Sequence, residues 1–189
     1  MTDPFDIPKA RGTLRVLQLA HDRWTELYEG IEGLKFDDLN GQEEVAAIIR
    51  GPAVEMMMWA RGLDDLCRGM PERRDGQLVP TEPDLPGYET ARATVAGLVD
   101  GARYATNREV HQLLALMQPK GALKFPLTFP LAFDHFGGVQ WLHEMQLPPA
   151  AEERRGQAPL RQAYVDHLAG RPVGPTLDGL RQWFESQLS

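Results

Sequence analysis

The sequence predicts a mainly α protein, a helical bundle with an inserted β-hairpin and two C-terminal helices. Three observations predict it. Apolar residues recur at spacings of three and four through residues 13–33, 42–69 and 88–117, the period of one helix face. Residues 123–133 switch to strict alternation, the period of an extended strand. Helical spacing then returns twice after a proline-rich link, at 159–169 and 176–187. The 189 residues read as one domain, with the bundle over about 13–117, the hairpin over about 122–144 and the closing helices over about 159–188.

In the first helix Leu14, Leu17, Trp24, Leu27, Tyr28 and Ile31 share a face, with Thr13 as N-cap, Gly33 as stop, and Pro4 and Pro8 marking a non-helical lead-in. The second helical region opens its apolar face with Val45, Ile48 and Ile49 and continues it with Val54, Met57, Met58, Leu63 and Leu66. Gly51-Pro52 interrupts it, which predicts a kink or a new helix start. The run Met56-Met57-Met58-Trp59 suits helical core packing, with an adaptable binding surface as the alternative. Four prolines and two glycines in 70–87 forbid a continuous helix and predict a long loop.

The third region carries Val95, Leu98, Val99 and Ala102 on one face, then Val110, Leu113, Leu114 and Met117. Thr106-Asn107 offers a cap, so the region reads as two helices meeting near Ala105 or as one with a bend. In 122–133 the odd positions are apolar, whereas Pro126 and Pro130 stand among the even ones and require an edge strand. Residues 134–138 read as a turn and 139–143 as the return strand. The apolar face of that strand must lie on the bundle or against a second copy. Leu160, Tyr164 and Leu168 line the first closing helix; Leu177, Leu180, Trp183 and Phe184 line the second.

Composition narrows the function. Hydrophobic residues make up 42%, enough for a real core. No apolar run reaches the roughly 18–20 residues of a membrane span, and residues 1–6 lack a signal-peptide pattern, so a cytoplasmic protein is expected. The lone Cys67, set in a helical apolar pattern, reads as a buried, inert thiol. A net charge of −7 argues against a general nucleic-acid binder. Acids crowd 22–44, and Arg92, Arg103, Arg108, Lys120 and Lys124 crowd 91–124. These segments read as two solvated faces, or the second as a local basic strip.

The sequence holds no Gly-rich phosphate loop, no GxGxxG, no GxSxG and no HExxH, so neither cofactor nor metal is expected. His135 and His143, with Asp134 and Glu144, are the one arrangement that a hairpin would bring together as metal ligands. Tyr164, His167 and Arg171 fall at helical spacing, and Arg171 reads as a cation at a helix C-terminus.

The segment 102–112 concentrates polar chemistry on a helix. Arg103, Asn107 and His111 are spaced by four, so they form a polar ladder along one flank. Metal-independent RNA cleavage needs a base near neutral pKa, which His111 would supply, and a phosphate-matching fork, which Arg103 or Arg108 would supply. The competing reading is structural, with Asn107 capping a helix and Arg103 paired to an acid on another helix.

Asn107 and His111 resemble the Asn-x-x-x-His part of the motif of HEPN domains, small helical bundles, often homodimeric, many of them ribonucleases of toxin–antitoxin, RNA-decay and phage-defence systems. Thr106 stands where that family places its arginine; Arg103 is separated from His111 by seven intervening residues and Arg108 by two. The departure leaves open whether activity is lost or the register varies. The resemblance implies a homodimer with the motif helices facing each other across the axis. Over residues 13–188 the chain is also similar to a group of actinobacterial proteins that share an Arg-Tyr-x-x-Asn-Arg helix, a proline-interrupted strand like 125–130 and a closing segment like 164–173. That second similarity implies no function.

Three functions follow as expectations. The first is a HEPN-like binding or regulatory module, in a defence or toxin–antitoxin setting, without catalysis of its own. The second is an endoribonuclease built on His111, with Arg103, Arg108 and Asn107, acting on RNA. The third is a structural or assembly subunit that docks a protein partner through the 122–144 hairpin.

Overall fold

The computed structural model describes residues 7–31, 39–74, 77–79, 85, 87–111, 116–119, 138–149 and 156–188. It is mainly helical, with a small antiparallel hairpin inserted before two C-terminal helices. Helix α1 (Ile7–Ile31) starts ahead of the expected Thr13 cap. Pro8 falls in the first turn, where its missing N–H removes no intrahelical bond. Thr13 is interior, and its hydroxyl donates to Lys9 O at 3.0 Å.

Helix α2 (Leu39–Cys67) runs through Gly51-Pro52 as one element. A proline removes one ladder bond, and the fully buried Ile49, Ala53, Met56 and Met57 anchor both sides of it. In place of an irregular loop, β1 (Glu72–Arg74) pairs antiparallel with β2 (Gln77–Val79). Asp75-Gly76 between them in the sequence is a two-residue hairpin signature that the reading of 70–87 from its prolines does not take up. The helical region beyond breaks at Thr94–Val95, not near Ala105, giving α3 (Tyr88–Ala93) and α4 (Ala96–His111).

Met117, expected at a helix end, lies in β3 (Met117–Pro119), which pairs antiparallel with β4 (Val139–Trp141) in the register Met117↔Trp141 and Pro119↔Val139. The described hairpin thus uses a first strand earlier than the alternating stretch, and 122–133 lies outside the described residues. The return strand begins at Val139 as expected. It ends at Trp141, ahead of a single 3-10 turn (Glu144–Gln146). The far side of β4 is stitched to the segment before the last helix: Trp141 N donates to Arg171 O at 2.9 Å and Gly170 N donates to Trp141 O at 3.1 Å. Helices α5 (Ala158–His167) and α6 (Val173–Leu188) close the chain, with Gly174-Pro175 inside the first turn of α6 instead of in a linker.

Helix α1 packs on α2 and α6, and α4 lies across α2 and α5. Side-chain hydrogen bonds order the α1–α6 contact: Gln18 Nε2 donates to Glu185 at 2.9 Å and His21 Nε2 meets Asp178 at 2.7 Å, so the two helices run antiparallel. Gly97 and Gly101, one turn apart on α4, admit α5. A Cβ at Gly101 would stand 2.7 Å from Leu168 Cδ1 and 3.3 Å from the Ala163 carbonyl oxygen, and one at Gly97 would strike the His167 ring.

Leu17, Leu63, Trp141, Tyr164 and Phe184 are fully buried in the core, each side chain of Leu or Phe size contributing about 1.5–3 kcal/mol of burial. Trp141 Nε1 donates to Thr176 Oγ1 at 2.9 Å, so the largest core side chain has its one polar atom satisfied by the residue expected to begin the last helix. Tyr164 donates to Leu142 O at 3.0 Å and its ring meets Tyr104 with centroids 5.2 Å apart. Three residues assigned to apolar faces, Leu27, Ile48 and Met58, are exposed instead. Among the described residues no helix is long and apolar enough to cross a membrane.

Candidate functional site

Arg103 and Asn107 of α4 face α2. On α2 the buried stripe Ala60, Leu63, Asp64 and Cys67 places one carboxylate among apolar side chains. Asp64 is 0% exposed, so its charge has no water to solvate it. It is solvated by donors instead. Tyr88 Oη donates to Oδ1 at 2.8 Å, Arg92 donates through Nε to Oδ1 at 2.7 Å and through Nη2 to Oδ2 at 3.2 Å, and Arg103 Nη1 donates to Oδ2 at 2.7 Å.

Arg92 continues to Asp100 Oδ1 at 2.5 Å, and Arg103 continues to Asp65 Oδ1 at 2.7 Å. Two guanidiniums and three carboxylates, joined by a phenol, thus lock α2, α3 and α4 together. Burial alone pulls the Arg92 and Arg103 guanidiniums down. Their hydrogen bonds and ion pairs with Asp64, Asp65 and Asp100 outweigh it and hold both above the ordinary arginine value. Burial, then the Asp64 charge and hydrogen bond, likewise raises the Tyr88 hydroxyl far above its ordinary range.

One turn further along, Asn107 Oδ1 accepts from Arg61 Nη1 at 2.5 Å, and its Nδ2 donates to Gln157 at 3.4 Å. Asn107 is therefore interior to α4 and caps nothing. Thr106, at the family's arginine position, is buried and donates back to Ala102 O at 2.8 Å. Arg108 is buried with its Nε donating to Tyr104 Oη at 3.2 Å and its guanidinium 5.3 Å from the Tyr104 ring centroid. The backbone of His111 closes α4, and its ring lies outside the described side chains.

The spacing argument holds in one respect: Arg103 and Asn107 share a flank. That flank is turned into a neighbouring helix, and Arg103 meets acids on α2 as the structural reading expects. Neither the solvated face expected of 91–124 nor its alternative, a basic surface strip, forms at Arg92, Arg103 and Arg108, which are largely buried; Lys120 and Lys124 lie outside the described residues. Sequence reasoning missed Asp64, Tyr88 and Arg92. The available signal was an acid at a buried register position of α2, which demands a cation from elsewhere.

A second polar contact ties α4 to the hairpin. Glu109 Oε1 accepts from Leu116 N at 2.5 Å, and Arg50 Nη2 donates to Met117 O at 3.5 Å. Burial raises the Glu109 carboxyl above its ordinary value, against the backbone donors Leu116 and Met117 and the Arg50 charge, which lower it.

Cys67 is buried at the end of α2, and burial, then the nearby Asp64 charge, pushes its thiol up to about 12. Arg171 Nη2 donates to Asp166 O at 2.7 Å at the C-terminal end of α5, the helix-end role expected of it. The His143 ring lies against Gly170, whose positive φ of 70° suits glycine; His135 and Asp134, its companions in the candidate metal arrangement, lie outside the described residues. Among the described residues no group of three or more His, Cys, Asp or Glu could hold a metal ion.

Fold and site together define a class: a helical bundle with an ionic seam at its centre and a hairpin stitched to its closing helices. No protein-family model, curated protein or solved structure matches the chain.

Proposed function

We propose that this protein is a HEPN-like helical module that binds protein, works as a homodimer and does not itself cleave RNA. The observation that supports this reading is the commitment of its candidate phosphate-binding groups. Arg103 is held by two carboxylates, Arg108 is buried on Tyr104, and Asn107 bridges Arg61 and Gln157. A guanidinium held in that way must break charge-assisted bonds before it can take a phosphate. The net charge of −7 further disfavours a polyanion and favours a protein partner. A defence or toxin–antitoxin setting is what the family resemblance adds.

The test is RNA cleavage in EDTA by wild type and His111→Ala, with both proteins checked for equal folding. The expected result is no cleavage by either. Cleavage by wild type that is lost in His111→Ala would replace this reading with the metal-independent endoribonuclease. The assembly-subunit reading draws on one feature, Met145, which is 95% exposed on the turn just after β4 and gives that end of the hairpin an apolar tip.

A further inference from the structure

Helices α1 and α2 bury part of their surface and leave several large apolar side chains exposed. Ile48 is 60% exposed, Met58 47%, Leu19 46%, Leu27 40% and Trp59 37%. A bridge of polar groups joins the two helices among these side chains: Arg23 Nη2 donates to Glu55 Oε1 at 2.6 Å, and Trp59 Nε1 donates to the same oxygen at 3.5 Å. Single exposed apolar residues are ordinary on a protein surface, so the choice of occupant rests on charge.

The charges on α1 identify the occupant of this face. On α1 the positions 11, 15, 19, 22 and 26 follow steps of four and three, so they form one outward stripe. The stripe reads Arg11, Arg15, Leu19, Asp22, Glu26, and every member is exposed. It is basic on the N-terminal side of Leu19 and acidic on the C-terminal side. A two-fold axis near Leu19 inverts it onto itself: Arg15 of one copy meets Asp22 of the other, Arg11 meets Glu26, and the two Leu19 side chains meet at the centre. Parallel packing would set like charges against each other. An isologous interface requires this kind of self-complementarity, since the same patch serves both sides.

We infer that the α1–α2 face is the homodimer interface of this protein, with the two α1 helices antiparallel about Leu19 and the Ile48, Met58 and Trp59 side chains flanking them. The inference rests on the homodimeric reading above and assigns its surface. It differs from the arrangement the family resemblance implies, because α4 carries the motif residues and lies across α2 and α5.

A charge swap tests it. Molecular mass is measured by sedimentation equilibrium at physiological salt for wild type, Arg15→Glu and Arg15→Glu/Asp22→Arg, with far-UV circular dichroism confirming equal helix content. Both positions are exposed, so neither change disturbs the core. Wild type is expected at twice the chain mass, Arg15→Glu with its dissociation constant raised at least tenfold, and the double variant returned to the wild-type dimer. A wild type that stays monomeric up to high micromolar concentration overturns the homodimer and this interface together. A wild-type dimer that Arg15→Glu does not weaken, or that the double variant does not restore, overturns the interface alone and leaves the homodimer standing on another face.

Discussion

One nitrogen of Arg103, Nη1, donates to both Asp64 Oδ2 and Asp65 Oδ1 at 2.7 Å each, so a single cation of α4 bridges two adjacent carboxylates of α2. The bridge changes the meaning of Arg103. Read from the sequence, it was a candidate to stabilise a phosphorane; in the folded chain it neutralises a carboxylate that no water reaches.

The first prediction concerns this seam. Asp64→Ala leaves Arg92 buried without the carboxylate that holds two of its nitrogens, and breaking a buried pair from one side costs about 3–5 kcal/mol. Tyr88→Phe removes one donor to the same carboxylate and costs about 1–3 kcal/mol. Urea denaturation followed by circular dichroism measures both. If Asp64→Ala is no less stable than Tyr88→Phe, the guanidiniums depend on other partners and the seam is not an ionic core.

Glu109 gives a pH dependence with a definite sign. Its folded-state carboxyl lies above the ordinary value of 4.5, so the folded protein holds this proton more tightly than the unfolded chain. The stability from this group is therefore complete below 4.5 and is lost as pH rises through the raised value. Glu109→Gln keeps an acceptor for Leu116 N–H and cannot ionise. Its stability relative to wild type is expected to rise between pH 4.5 and pH 7 in urea titrations at each pH. A relative stability that falls over that interval would mean that attraction to Arg50 outweighs desolvation.

Cys67 is expected to be unreactive while the chain is folded. A thiol pushed up to about 12 is almost wholly protonated at neutral pH, and the thiolate is the nucleophile. Ellman's reagent at pH 7.5 should give a slow reaction under native conditions and a complete one in guanidinium chloride. Rapid native labelling would place the thiol at the surface.

Two glycines should respond oppositely to alanine. At Gly101 the added Cβ meets Leu168 Cδ1 and the backbone of Ala163 and Tyr164, so α4 and α5 must part, at about 1–3 kcal/mol. At Gly62, inside α2 near its C-terminal end, it meets nothing within 4 Å, and the gain is the helix propensity alone, about 1 kcal/mol. Thermal unfolding of the two variants beside wild type decides this, with the melting temperature lowered for Gly101→Ala and raised for Gly62→Ala.

Periodicity located the helices because it reports which side chains share a face, and that is a local property. Leu14, Leu17, Trp24, Tyr164, Leu168 and Phe184 are buried where their spacing put them. Helix ends were less legible. Thr13 and Asn107 have the chemistry of N-caps, yet each sits inside a helix and bonds elsewhere, to Lys9 O and to Arg61. A cap residue states what an end would need, not that the chain ends there. Leu27, Ile48 and Met58 belong to apolar patterns and are exposed, because the pattern is wider than the surface the bundle covers.

What the sequence by itself determined was the helical class, the place of the inserted hairpin's return strand, the two closing helices and the burial of Cys67, all of which follow from patterns within a few turns of chain. What only the tertiary structure decided was the partner of each charge. Asp64 meets Arg92 and Arg103, 28 and 39 residues further on, and no local rule selects those partners from the other arginines. Packing selects them, since a carboxylate enclosed by α2, α3 and α4 must be met by whichever cations those helices bring within about 3 Å.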